Sequence, residues 1–190
     1  MILSIGEILD IVLMTAFIGF IFKDSFHIKH QNHDVLDYYT KKRSSFWEGF
    51  FLAVMAAAPA IVLHEMAHKF LALSYGMSAI FHASYTWLLI GIVLKLMSFG
   101  LIFFVPGYVS ISGIGTHLQY AMVALAGPSM HLLLWGLASL WLKLGKTSKK
   151  YLPVVVMTKK INLFLFFFNM LPIPPFDGFS FFSNVYMIFF

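Results

Sequence analysis

The sequence predicts an all-α polytopic membrane protein: about four transmembrane helices, a re-entrant β-hairpin near residues 101–113, and a broken helix close to the candidate site. Three observations carry this. First, the chain has 190 residues, of which 60% are hydrophobic and only 11% charged. A soluble domain carries roughly 25% charged residues; this chain cannot cover itself with polar surface in water, and in lipid it has no need to. Second, four apolar runs are separated by polar or proline-rich stretches. Third, one stretch is built from β-branched and aromatic residues around a Pro-Gly pair.

The first run, Ile8–Phe22, is apolar, with Glu7 and Asp10 at its start. Its start carries no Lys or Arg and no small-residue cleavage site follows, so it reads as a retained helix rather than a signal peptide. A polar loop, residues 23–45, follows. The second run, Phe46 to about Tyr75, is long enough to cross roughly 30 Å of hydrocarbon at 1.5 Å per residue. Trp47 stands at its start, where an interfacial aromatic belongs. The third run spans His117 to Lys143, and the fourth lies within Val154–Leu171 and ends in a proline cluster. A last apolar piece, residues 179–190, is too short to span and reads as a short interfacial helix. The whole, 1–190, forms a single membrane-embedded domain, with its core at 46–178.

Between the second and third runs, Tyr85–Met97 reads as helical. Residues Leu101 to Gly113 read as two strands and a turn. Open strand edges cannot face lipid, so this piece must be buried in protein or line a wet cavity.

The composition also excludes. With no cysteine, disulfides and thiolate metal sites are ruled out, and a metal must be held by His, Asp, Glu or backbone oxygens. The net charge of +5 rests on few charges and reads as membrane-flanking Lys and Arg rather than as a nucleic-acid surface.

The chemistry-bearing residues begin with His64-Glu65-Met66-Ala67-His68 in the later part of the second run. Positions i and i+4 share one helix face, so both imidazoles can reach one zinc ion and Glu65 can reach a water beside it. Ionisable groups within a span are costly and need partners; the plainer alternative is a pair of satisfied core histidines. After Glu48 the chain has two acidic residues, Glu65 and Asp177, so a carboxylate third ligand has one downstream candidate. Asp177 closes Asn169-Met-Leu-Pro-Ile-Pro-Pro-Phe-Asp-Gly178, where three prolines forbid a regular helix; broken helices at membrane depth are where ion sites are built. Its alternative is an ordinary helix-capping role.

The pair H-E-x-x-H and N-x-x-P-x-x-x-x-D-G, with Ala126-Gly127-Pro128 in the third run, resembles the site-2 protease family of intramembrane zinc metallopeptidases, in a minimal form without PDZ or CBS modules. The resemblance covers about Phe46 to Gly178. It implies one zinc ion per chain held by His64, His68 and Asp177, and Glu65 as the catalytic base. Asn169 would hydrogen-bond substrate or the developing oxyanion. Peptide bonds of membrane-spanning protein substrates would be hydrolysed through a zinc-activated water. The strand-like stretch is similar to a hairpin that holds substrate extended, which makes Val109, Ser110 and Ile111 candidate substrate contacts. Where the family carries Asn in G-P-x-x-N, this chain has His131, a further candidate contact.

The implied partners are a membrane-anchored protein substrate and the bilayer, with no nucleic acid, in a multi-pass protein of the cell membrane. Two rivals remain open: a small membrane metal or ion carrier using the same His/Glu/Asp site, and a catalytically inactive relative. His27, His30 and His33 read as a solvated loop, with a secondary metal site as the alternative. Residues 23–45 hold five of the thirteen Lys and Arg and residues 143–160 hold six. Both groups fall opposite the site. The positive-inside rule makes them cytoplasmic, whereas the family's arrangement places the site nearer the cytoplasm.

Overall fold

The structure, a computed structural model, describes residues 2–25, 46–98, 105–145 and 147–190. The loop histidines 27, 30 and 33 lie outside the described residues, as do residues 101–104 of the expected hairpin. The elements run α1 (Ile5–Phe22), a 3-10 turn (Lys23–Ser25), α2 (Phe46–Ser74), β1 (Ser78–Ala83), α3 (Tyr85–Leu96), β2 (Gly107–Ser112), α4 (His117–Lys143), α5 (Leu152–Asn169) and α6 (Asp177–Phe189). Among the described residues, helices α1, α2, α4 and α5 are the four long and apolar enough to cross a membrane.

Local sequence explains where the helices begin. Ser4 accepts from the backbone of Glu7, and Glu7 reaches back to the Ser4 N–H, a reciprocal cap that opens α1. Thr116 and Gln119 repeat the device at α4. At α5, Pro153 occupies the first turn, where a missing N–H costs nothing. Small residues let α2 pack tightly: Ala53, Ala56, Ala57, Ala58 and Ala60 are all buried. Large apolar side chains such as Phe51, Leu133, Leu137 and Phe167 stay exposed, as expected where the outer solvent is lipid.

The sheet differs from the expected hairpin in one respect. Its second strand is present as β2, but β2 pairs antiparallel with β1, from Ser78↔Ser112 to Ala83↔Gly107. Helix α3 lies between the two strands in sequence, and Lys95 near its end reaches the Ile21 carbonyl and Asp24, each at 2.7 Å. Helix α3 therefore runs along α1 toward its end at Ile21 and Phe22.

The two sheet edges are met in different ways. On β1 the Phe81 N–H donates to Glu7 at 2.8 Å and the Ala83 N–H to Asp10 at 3.0 Å. The Ala79 carbonyl accepts from Lys69 Nζ at 2.8 Å. Helix α1 thus seals that edge with carboxylates three residues apart, on one helix face. Since Ala79, Phe81 and Ala83 turn their backbone groups away from β2, their partners Ile111, Val109 and Gly107 turn theirs away from β1. The free edge of β2 borders a cavity instead.

Candidate metal centre

The site is assembled from three helices. The i, i+4 spacing on α2 points His64 and His68 the same way, and their Nε2 atoms are 3.0 Å apart. Asp177, the first residue of α6, places Oδ2 3.1 Å from His64 Nε2 and 3.3 Å from His68 Nε2. Two glycines permit this convergence. A Cβ at Gly178 would stand 2.4 Å from the backbone carbon and oxygen of Met170, so only glycine lets the first turn of α6 fold back against the end of α5. On α4, Gly127 gives the imidazoles room: a Cβ there would lie 2.3 Å from His68 Nε2.

The donor set fits a divalent cation such as zinc. His68 Nδ1 donates to the Val123 carbonyl at 2.7 Å, which leaves Nε2 with a bare lone pair in the neutral ring. His64 Nδ1 is buried against the backbone of Gly127. Two ring nitrogens and a carboxylate oxygen this close call either for a proton shared among them or for a cation held between them. The edges of 3.0–3.3 Å match the roughly 3.3 Å between neighbouring ligands of a tetrahedral ion at 2.0–2.1 Å. Among the described residues, these three form the group able to hold a metal ion.

Glu65 is buried beside His64 and lines the same cavity, of about 1060 Å³, as His64, His68 and Asp177. Asn169, His131, Val109 and Ile111 line it too. Ser110 is not among the residues that line it and is exposed. His131 is 1% exposed, its ring 4.6 Å from that of His64. Both its nitrogens are occupied, Nδ1 by Asn162 at 2.9 Å and Nε2 by Asn169 at 3.3 Å.

Sequence reasoning missed Asn162, fully buried on α5, and the pairing of Lys69 with Glu7. For Lys69 a signal existed, since a lysine within a span demands a partner. No local signal pointed to Asn162.

The chain is 32% identical over 173 residues to a protein of Methanocaldococcus jannaschii named "Putative zinc metalloprotease MJ0611", an alignment covering 90% of this chain and 81% of that one. The chain belongs to the family of this zinc metalloprotease. No family model matches the chain, and no solved structure matches it significantly. Among the described residues of this family member, the cluster of His64, His68 and Asp177 is a group that could hold a metal ion.

Proposed function

We propose that the protein is an intramembrane zinc endopeptidase of the site-2 protease kind, which cuts membrane-spanning protein substrates in the cell membrane. The convergence of Asp177 with His64 and His68, more than 100 residues apart in sequence, carries the reading. A zinc ion held by His64, His68 and Asp177 would supply a Lewis acid and would make a water acidic enough to ionise near neutral pH. Glu65 takes up the proton released as the scissile carbonyl is attacked, then returns it to the leaving amine. Asn169 donates its carboxamide N–H to the carbonyl oxygen as charge develops on it.

The cavity supports an extended substrate. A transmembrane helix hides its carbonyls in its own hydrogen bonds and must unwind to be cut. The outward backbone groups of Val109 and Ile111 offer a released segment a strand to pair with, while the opposite edge is closed by α1.

The test begins with zinc content in the detergent-purified chain, beside Asp177→Ala. About one zinc per chain, lost or much weakened in the variant, is the expected result. Glu65→Gln should then keep zinc and lose cleavage of a membrane-spanning substrate. A wild type that takes up no zinc would sink the reading, and ion flux without cleavage would turn it to a carrier.

A further inference from the structure

One buried polar chain beside the metal centre ends on Asn169, and its other members, Asn162 and His131, have no part in the scheme above. The Thr158 carbonyl can only accept, so Asn162 Nδ2, at 2.8 Å, donates to it. That turns Asn162 Oδ1 to His131 Nδ1 at 2.9 Å. A carboxamide oxygen only accepts, so the proton lies on Nδ1. The neutral ring then presents a bare lone pair at Nε2, and Asn169 Nδ2, 3.3 Å away, donates to it. Each link fixes the next, and the chain begins on a helix carbonyl that cannot reverse.

We propose that His131 is a positioning residue: through this relay it locks the carboxamide of Asn169 in one orientation at the cavity. The proposal rests on the peptidase reading, in which Asn169 meets the substrate. One Asn169 N–H is spent on His131, which leaves the other N–H and Oδ1 for the substrate backbone. Without the relay the carboxamide is free to turn over and present oxygen where a donor is needed. The relay also removes His131 from the metal ligands, because its Nε2 lone pair is already engaged. It gives a reason for the departure from the family's G-P-x-x-N pattern: asparagine at this position also offers Asn169 an acceptor.

The experiment has two arms, both on the full chain in detergent. Nitrogen-15 NMR of histidine-labelled protein, with His131→Phe for assignment, should show His131 protonated at Nδ1 and unprotonated at Nε2. Asn162→Leu should abolish that fixed tautomer. In the cleavage assay His131→Phe should lower kcat roughly tenfold to a hundredfold, with KM and zinc content unchanged, and His131→Asn should recover most of the loss.

A wild-type proton on Nε2 would overturn the proposal. So would an unchanged kcat in His131→Phe, equal losses in the Phe and Asn variants, or loss of zinc, which would make His131 a prop of the metal site. If the wild type cleaves nothing, the peptidase reading fails, while the tautomer, measured without substrate, still decides the relay.

Discussion

A Cβ added at Gly127 would come within 2.5 Å of His64 Cε1 as well as 2.3 Å of His68 Nε2, so Gly127→Ala must push both imidazoles off the positions that face Asp177. The variant should fold, since one extra methyl in a packed helix interface costs about 1–3 kcal/mol, yet it should purify with most of its zinc missing. Metal content read beside thermal unfolding checks this; full zinc occupancy would mean that α4 shifts instead. At this scale much of the centre was legible. His64, Glu65 and His68 announce themselves through helical spacing, and Asp177 through the scarcity of acids downstream of Glu48. Asn162 did not, because an asparagine on an apolar helix gains meaning only when His131, 31 residues earlier, is brought to 2.9 Å.

At the scale of elements, α1 is more than a span. Glu7 joins its own helix cap, the Phe81 N–H of β1 and Lys69 of α2, the residue next to the ligand His68. Glu7 and Lys69 are 5% and 1% exposed, so neither charge can recover hydration when its partner is removed. Lys69→Met should therefore destabilise the protein by about 3–5 kcal/mol. Adding Glu7→Gln to it should cost less than the two single changes summed, because the stranded carboxylate is gone. Denaturant unfolding of the four proteins in detergent measures the coupling; strict additivity would refute it. Asp10→Ala leaves the Ala83 N–H and the Tyr85 hydroxyl without their acceptor, a loss of about 1–3 kcal/mol by the same measurement. Strand β1 escaped the sequence because Ser-Ala-Ile-Phe-His-Ala is short and alanine is a poor strand former. Its buried alternation at Ala79, Phe81 and Ala83 was the signal available. Its pairing with Glu7 and Asp10, 73 or more residues away, is not visible in any local pattern.

For the molecule as a whole, contacts order the ends of the elements without a bilayer being present. The end of α1 meets the beginning of α2, since a Cβ at Gly49 would fall 2.4 Å from the Lys23 carbonyl oxygen. From there α2 runs past the metal centre to Ser74, β1 and β2 follow, and α4 returns the chain to Lys143 and the lysines at 149 and 150. His64 lies 18 residues beyond Phe46, about 27 Å along the helix axis, so the centre stands well toward the opposite end. Gly76, at the turn leaving α2, and Lys149, between α4 and α5, should therefore face opposite sides of the membrane. The absence of cysteine makes the test clean: Gly76→Cys and Lys149→Cys each introduce the one thiol in the chain. A membrane-impermeant maleimide added to oriented vesicles should label one variant from outside and the other only after the vesicles are opened. Labelling of both from the same side would contradict the alternation of α2 and α4. With alternation established, the side reached at Lys149 decides between two opposed physical expectations. Cytoplasmic lysines would mean that charge bias sets the topology and that the metal centre opens toward the far side. Lysines on the far side would mean that helix packing around the centre outweighs eleven of thirteen positive charges, with substrate meeting the centre from the cytoplasmic half of the bilayer.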